Sequence, residues 1–208
     1  DRARMENLAF ATCKFGAFLI LLFAIPLILE MDSILELWLC EPPPYAGVMC
    51  RCVLVALVLH KLGMGHHMAI LANGNVAALL MTTGLISGST IFLVWGMIKM
   101  GLGALGIGMS FVISYGWLTV ARVCWARKQL GFSLSHWVWC IVWPIALVSF
   151  ISCLVGGAVV YSFDASALRI CLTSGITFGC SAILGWMIVL EKQEKTRILT
   201  ALLKRIQH

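Results

Sequence analysis

The sequence is poor in charge, and this scarcity already excludes most classes of protein. Only 12% of its 208 residues are charged, whereas 61% are hydrophobic. A soluble domain is typically about half apolar and about a quarter charged, so an ordinary soluble protein and a disordered chain are both excluded. The alternating apolar and polar residues that a transmembrane barrel requires are also missing. The unbroken apolar runs that are present predict an all-α integral membrane protein, because helices satisfy every backbone hydrogen bond inside lipid.

Motifs for metal, cofactor or covalent chemistry are scarce too. The nine cysteines include one close pair, Cys50 and Cys52, and no pair of CxxC motifs, so they are expected to be free residues of membrane helices. The adjacent His66 and His67 diverge by about 100° on a helix, which makes them a poor chelating pair. No arrangement of nucleophile and base is visible. The sequence therefore predicts no metal, no cofactor and no catalytic residues, and we do not expect an enzyme.

Glycine-rich segments are interpreted as contacts between helices. The segment from Gly101 to Gly106 fits GxGxxG, but membrane runs flank it where a dinucleotide site requires a βαβ unit. Glycines also recur four residues apart, at 84 and 88 and again at 175 and 179. All of these glycines are expected to let neighbouring helices approach closely.

Six apolar runs are long enough to cross a bilayer. The predicted spans are residues 9–29, 46–72, 76–98, 102–120, 137–161 and 170–190. His60 and Lys61 interrupt the second run, but the nearest turn signal is Asn73-Gly74-Asn75. It is therefore predicted to be one helix, about 40 Å long at about 1.5 Å per residue. Residues 191–208 are predicted to form a basic amphipathic tail on the cytoplasmic surface of the membrane.

The basic residues between the runs predict the orientation. Six spans place both termini on one side, and that side holds ten Lys and Arg residues, whereas the other side holds Lys99 and Arg169. The ten are Arg2, Arg4, Arg122, Arg127, Lys128, Lys192, Lys195, Arg197, Lys204 and Arg205. Such a bias marks the cytoplasmic side, so both termini are predicted to be cytoplasmic. Because the basic residues flank membrane runs in this way, nucleic acid is not expected as a partner.

Three basic residues, Lys14, Arg51 and Lys61, lie inside apolar runs, where a charge costs about 2.5–3.5 kcal/mol at mid-bilayer. Lys14 and Arg51 lie near the ends of their spans, where a long side chain can reach the headgroups. Lys61 lies near the middle of its helix, where a water-filled cavity is the better explanation. On a helical wheel Lys61 lies about 80° from Arg51 on one side and His66 about 60° on the other, so the three are expected to share a cationic face.

No carboxylate within the predicted spans pairs with these cations. A basic cavity without acidic partners suits an anionic substrate, such as a phosphate-bearing one. Arg51, Lys61, Lys14 and His66 are therefore the predicted substrate-binding residues. The alternative is that they lie at membrane interfaces or pair with acids from a missing part of the protein.

Spaced short segments over nearly the whole chain carry a resemblance to a known family. They are Thr12-Cys13-Lys14-Phe15-Gly16, Ile25-Pro26-Leu27-Ile28-Leu29, Leu37-Trp38-Leu39, an acidic, proline-containing loop with Tyr45, Cys50-Arg51, Ala72-Asn73-Gly74-Asn75, Arg122 before a basic linker, Gly131-Phe132-Ser133 and Pro144. In this order they resemble the C-terminal half of bacterial polysaccharide flippases of the Wzx type, in the multidrug/oligosaccharidyl-lipid/polysaccharide exporter superfamily. Lys14 and Arg51 match basic positions of the family pattern, whereas His60 and the segment from Gly63 to His67 depart from it.

The resemblance implies one lobe of a transporter with two six-helix lobes facing a central cavity. Such proteins move undecaprenyl-diphosphate-linked oligosaccharides across the bacterial cytoplasmic membrane by alternating access, for O-antigen, capsule or exopolysaccharide biosynthesis. The implied partners are the lipid bilayer, a lipid-linked oligosaccharide and an N-terminal six-span lobe, from the same chain or another subunit. The chain is expected to be a piece of something longer or to pair with a second lobe.

Three other functions stay open at this point. One is a multidrug exporter lobe of the same superfamily, which usually requires a carboxylate within the membrane for ion coupling. Another is a membrane-embedded enzyme acting on lipid-linked sugars, such as a polymerase or ligase, which should carry larger outward loops. The third is a scaffold or a remnant without transport activity.

Overall fold

The computed structural model describes residues 2–39, 41–164 and 166–189. Within these ranges the chain is helical and contains no β-strand, which confirms the predicted fold class. The α-helices are α1 (Arg2–Leu29), α2 (Met31–Leu39), α3 (Ala46–Leu62), α4 (Met64–Asn73), α5 (Ala77–Lys99), α6 (Gly103–Leu130), α7 (Leu134–Trp137), α8 (Trp143–Ser162) and α9 (Ala167–Leu184). Two π-helical segments, Val138–Val142 and Gly185–Val189, join α7 to α8 and extend α9. The predicted basic tail, 191–208, lies outside the described residues.

Five helical stretches are long and apolar enough to cross a bilayer on their own: α1, α5, α6, Leu134–Ser162 and Ala167–Val189. α3 and α4 reach the same length and hydropathy together, but they meet at a bend of 43°. A bend of this size leaves both helices running in the same general direction, whereas a re-entrant loop requires a reversal. Counted as one broken span, they bring the described part of this multi-pass membrane protein from five candidate crossings to six.

The expectation of one unbroken helix over residues 46–72 is wrong. α3 ends at Leu62 and α4 begins at Met64, with Gly63 between them. Glycine is a weak helix former because its backbone has the most freedom to lose. Contacts from other helices, described below, stabilise the break at this particular glycine.

Two other spans are longer than predicted. α6 was expected to end near residue 120 but continues to Leu130, where Gly131 closes it in the left-handed region with φ 69°. The fifth span begins at Leu134 and passes through Pro144 without stopping. Proline lacks the N–H that would bond four residues back, and the π-helical segment just before α8 accommodates the loss of that donor.

α1 lies at the centre of the bundle. One side of it packs against α3 and α4, and the other side packs against α8 and α9. Its buried residues recur at helical spacing, as Cys13, Ala17, Leu21 and Ile25. α6 packs against α3, α4 and α5, so α5 lies at the rim with α6 as its main neighbour.

Close approaches between helices occur at one of the predicted glycines, Gly106, and otherwise at glycines that were not predicted. A Cβ added at Gly84, Gly88, Gly175 or Gly179 would meet nothing within 4 Å, so the predicted close contacts at these four are wrong within this chain. Gly101 and Gly103 also face open space and instead take positive φ in the turn before α6. The tight approaches lie at Gly65, Gly106, Gly108, Gly156 and Gly185, and at Gly106 an added Cβ would lie 2.7 Å from Met97 Cβ of α5, which confirms the prediction there. The spacing of glycines along one helix does not show which face of that helix meets a neighbour. For this reason the prediction failed at Gly84, Gly88, Gly175 and Gly179.

Candidate functional site at the broken helix

The break between α3 and α4 is held open by side chains from two other elements. In a continuous helix the Gly63 N–H would bond to the Leu59 carbonyl, but here it turns to the His60 carbonyl at 3.4 Å. The Thr119 hydroxyl of α6 donates to the freed Leu59 oxygen at 2.7 Å. The Trp137 indole N–H of α7 donates to the Leu62 oxygen at 2.9 Å. Because buried carbonyls must be bonded, these two donors stabilise the bent form.

α1 closes the break from a third side. The Gly65 N–H, in the first turn of α4, donates to the Cys13 sulfur at 3.1 Å. A Cβ on Gly65 would overlap the carbonyl oxygen of Ala9, so only glycine allows α1 and α4 to lie this close. The break is therefore formed by α1, α6 and α7 together with the α3–α4 segment.

Four nitrogen-bearing side chains lie around the break: His60 and Lys61 of α3, His67 of α4 and Arg122 of α6. The His60 ring lies 5.3 Å from the Tyr115 ring, centre to centre. Arg122 lies within electrostatic range of both His60 and His67, and Lys61 within range of His60. The Arg122 side chain is buried, whereas the other three are part-buried. The structure thus places a basic cluster, defined by these four residues, beside a broken membrane helix.

Arg122 belongs to this basic cluster, and the sequence interpretation missed it. It was placed at the cytoplasmic end of a span, but α6 continues eight residues beyond it. The signal for a longer helix was present, since the first turn-forming residue after Arg122 is Gly131. The burial of Arg122 depends on α3 and α4 packing over it, and no local pattern contains that information.

Of the predicted substrate-binding residues, Lys61 belongs to the basic cluster. Its aliphatic stem passes Gly16 on the α1 side. Lys14 is buried, at 4% exposure, and on a helix it points about 160° away from Gly16. The structure therefore does not bring Lys14 and Lys61 onto one face.

His66 lies inside the protein rather than on the predicted cationic face. It is fully buried, and its ring packs against Phe10, Phe132 and Trp137 with centre-to-centre distances of 5.3, 5.9 and 6.3 Å. Its Nδ1 lies 3.4 Å from the Cys13 sulfur. The prediction that His66 shares a face with Arg51 and Lys61 is therefore wrong. The reason is that the bend at Gly63 turns α4 relative to α3.

Arg51 lies at the other end of α3 and has a carboxylate partner. Its Nη2 lies 2.7 Å from the Asp32 carboxylate, and its Nε donates to the Ile28 carbonyl at 2.9 Å. Asp32 lies in α2, just beyond the first predicted span, so it is not a carboxylate of the predicted spans themselves. Arg51 remains part-exposed, at 31% of its side chain.

A second ion pair at the same end is buried. Glu30 accepts hydrogen bonds from Arg169 at 3.0 Å and from Thr173 at 2.8 Å, while Arg169 also donates to Ser33 and to the Phe163 carbonyl. Glu30 and Arg169 are 139 residues apart, so no sequence signal could have paired them. Among the described residues Glu30 is the one buried carboxylate.

The chemistry of the basic cluster suits anions and not metal cations. Among the residues that the structure describes, no group of three or more His, Cys, Asp or Glu could hold a metal ion. Arginine and imidazole N–H groups donate to oxyanions, and arginine matches phosphate geometry best. No family model, no curated protein and no solved structure matches the chain.

Proposed function

We propose that the protein is one lobe of a transporter that moves an anionic, lipid-linked oligosaccharide across the bacterial cytoplasmic membrane. The observation that carries this proposal is the basic cluster at a broken membrane helix. Discontinuous helices near the membrane interior are where transporters place substrate sites, and ionisable residues there mark substrate pathways. The resemblance of the sequence to polysaccharide flippases supports the same assignment, and a second lobe would complete the cavity.

Lys61 is the residue we assign to the substrate. It is part-exposed next to the break, and a lysine is a point charge suited to a diphosphate. Arg51, with its exposed ion pair at the outer end of α3, is the second contact in this proposal, made when the substrate displaces Asp32. Lys14 and His66 are buried within the lobe and do not contact substrate in the state described here.

The competing functions have weaker support. A proton- or sodium-coupled drug exporter requires an available carboxylate within the membrane. Among the described residues the buried Glu30 is already bonded to Arg169 and Thr173. The connections between the described spans are short, which leaves little room for the outward catalytic loops of a polymerase or ligase.

The test is a leaflet-exchange assay on the native protein, purified with its second lobe and reconstituted into phosphatidylethanolamine/phosphatidylglycerol vesicles. The probe is a fluorescent polyprenyl-diphosphate-linked disaccharide, quenched from outside by dithionite, which does not cross the membrane. We expect the protein to expose the inner-leaflet pool to the quencher. Removing the Lys61 charge in Lys61→Gln should slow this exposure at least about tenfold, because a charge-assisted contact contributes about 1.5–3 kcal/mol.

The matched control is Lys99→Gln, which removes a lysine at the exposed end of α5 and should exchange probe like the parent. A parent protein that exposes no more probe than empty vesicles would overturn the transport function. Parent-like exchange by Lys61→Gln would overturn the role of Lys61 alone.

A further inference from the structure

Arg122 carries a buried charge that lacks a counter-charge among the described residues. Its side chain is 5% exposed, and within the described part of the chain its Nε and Nη1 have no hydrogen-bond partner. The described groups that favour its charge are Tyr115 and Cys13, and no carboxylate is among them. An arginine stays charged inside a protein, and a buried charge is tolerated only when it is paired. The structure therefore requires a counter-charge at this position.

The imidazole side chains of His60 and His67 lie near Arg122. His60 and His67 lie two turns apart along the α3–α4 segment and both lie within electrostatic range of Arg122. The Nδ1 atom of each ring is buried and has no partner among the described residues. Four nitrogen atoms of three side chains within electrostatic range of one another thus lack a partner among the described residues, and an anion with several acceptor oxygens is the kind of ligand that pairs with such donors.

The first turn of α4 adds a third source of positive potential. α4 has ten residues, and no side chain caps its N-terminus at Gly63. Uncapped N–H groups at the start of a helix attract anions, because the helix dipole and the free donors point the same way. The Gly65 N–H is used by Cys13, which lies within range of Arg122, so this turn and the guanidinium are neighbours.

The basic cluster is partly accessible from outside the lobe. His60, Lys61 and His67 are part-buried rather than buried, so the basic cluster opens on the side of α3 and α4. The Tyr115 ring, which lies 5.3 Å from that of His60 at a tilt of 46°, also lines a cavity of about 350 Å³ between α5 and α6.

We propose that Arg122, His60, His67 and the first turn of α4 form a binding site for a phosphate group inside this lobe. The shared chemistry is a tetrahedral oxyanion, supplied by the headgroup of an anionic phospholipid or by free inorganic phosphate. The bound phosphate neutralises Arg122 and ties α4 to α6 at the break. The proposal does not depend on transport or on the identity of the transported substrate.

The experiment measures thermal unfolding of the purified native protein in phosphatidylcholine nanodiscs. Inorganic phosphate is titrated in one arm at constant ionic strength, and phosphatidylglycerol replaces part of the phosphatidylcholine in the other. We expect the unfolding midpoint to rise with at least one ligand. A rise with phosphate identifies a site for the free ion, and a rise with phosphatidylglycerol alone identifies a lipid headgroup site.

Arg122→Gln should weaken the binding at least about tenfold, as expected for losing a charge-assisted hydrogen bond. Arg127→Gln removes an exposed arginine from the same helix and should bind like the parent, which controls for general anion attraction. If Arg122→Gln does not fold, His67→Gln keeps the charge, removes one donor and should still weaken binding several-fold. The absence of a shift with both ligands, or equal shifts in the parent and the site variants, overturns the proposal.

Discussion

At the scale of residues, burial separates two ion pairs at the same end of the molecule. The Glu30 side chain is fully buried and that of Arg169 is 12% exposed, whereas the Arg51 and Asp32 side chains are 31% and 65% exposed. Removing one partner of a buried pair leaves an uncompensated charge away from water, while an exposed charge is resolvated. The buried pair should therefore be far more sensitive to substitution than the exposed one.

Glu30→Ala is expected to destabilise the protein by about 3–5 kcal/mol, because it leaves Arg169 buried without its carboxylate. Asp32→Ala, the matched control at the exposed pair, should cost about 1 kcal/mol or less. The measurement is the free energy of unfolding in detergent, followed by tryptophan fluorescence. Similar small losses in both variants would contradict the buried network.

The double variant Glu30→Met with Arg169→Met separates charge from packing. Replacing both partners with apolar residues removes the unpaired charge, so much of the stability lost in Glu30→Ala should return. A double variant no more stable than Glu30→Ala would contradict the unpaired Arg169 charge as the cause of the loss.

At the scale of elements, the α3–α4 segment shows how a membrane helix is broken at a defined place. Gly63 lies in the break, and Gly65 lets α1 approach α4 closely. The Thr119 hydroxyl and the Trp137 indole donate hydrogen bonds to the carbonyls that the break frees. None of these contacts alone bends a helix, because a freed backbone carbonyl inside lipid requires a replacement donor. The break is therefore a property of four elements acting together.

Gly65→Ala is expected to cost about 1–3 kcal/mol, because the added methyl group overlaps the Ala9 carbonyl and forces α1 and α4 apart. Gly84→Ala is the control: its methyl group meets open space, and alanine favours a helix by up to about 1 kcal/mol. The unfolding midpoint in detergent should fall in the first variant and stay level or rise in the second. An unchanged midpoint in Gly65→Ala would contradict the close packing of α1 on α4.

At the scale of the whole molecule, α1 connects the two sides of the bundle. It packs against α3 and α4 on one side and against α8 and α9 on the other. The basic cluster lies on the α3–α4 side, and the Glu30 network ties the end of α1 to α9. A movement of α1 would therefore affect both the basic cluster and the Glu30 network.

The broken span makes a prediction about topology. If α3 and α4 form one crossing, the exposed turns around Pro43 and Gly74 lie on opposite faces of the membrane. An epitope tag inserted after Pro43 should be reached by antibody in intact cells, and a tag after Gly74 only in permeabilised cells. Equal accessibility of the two tags would instead identify a re-entrant loop and five crossings.

Much of the fold could be predicted from the sequence, because lipid leaves the backbone little choice. Apolar runs of sufficient length must be helices, because helices satisfy every backbone polar group inside lipid. For the candidate site the sequence identified Lys61 as an unusual residue but assigned Arg122 to a helix end and His66 to a shared face. These errors concern packing, which depends on residues distant in sequence.

The glycines show most clearly what the sequence determined and what tertiary structure decided. Composition and hydropathy determined an all-helical fold with five membrane-spanning segments, and a sixth where α3 and α4 form one broken span. Gly63 and Gly84 both lie in apolar segments, yet α5 passes through Gly84 unbroken while the second span breaks at Gly63. The difference is that Thr119 and Trp137 bond to the carbonyls freed at Gly63, whereas Gly84 faces open space. A break in a membrane helix is stable only where other helices supply the missing hydrogen bonds, and folding alone brings those donors to the site.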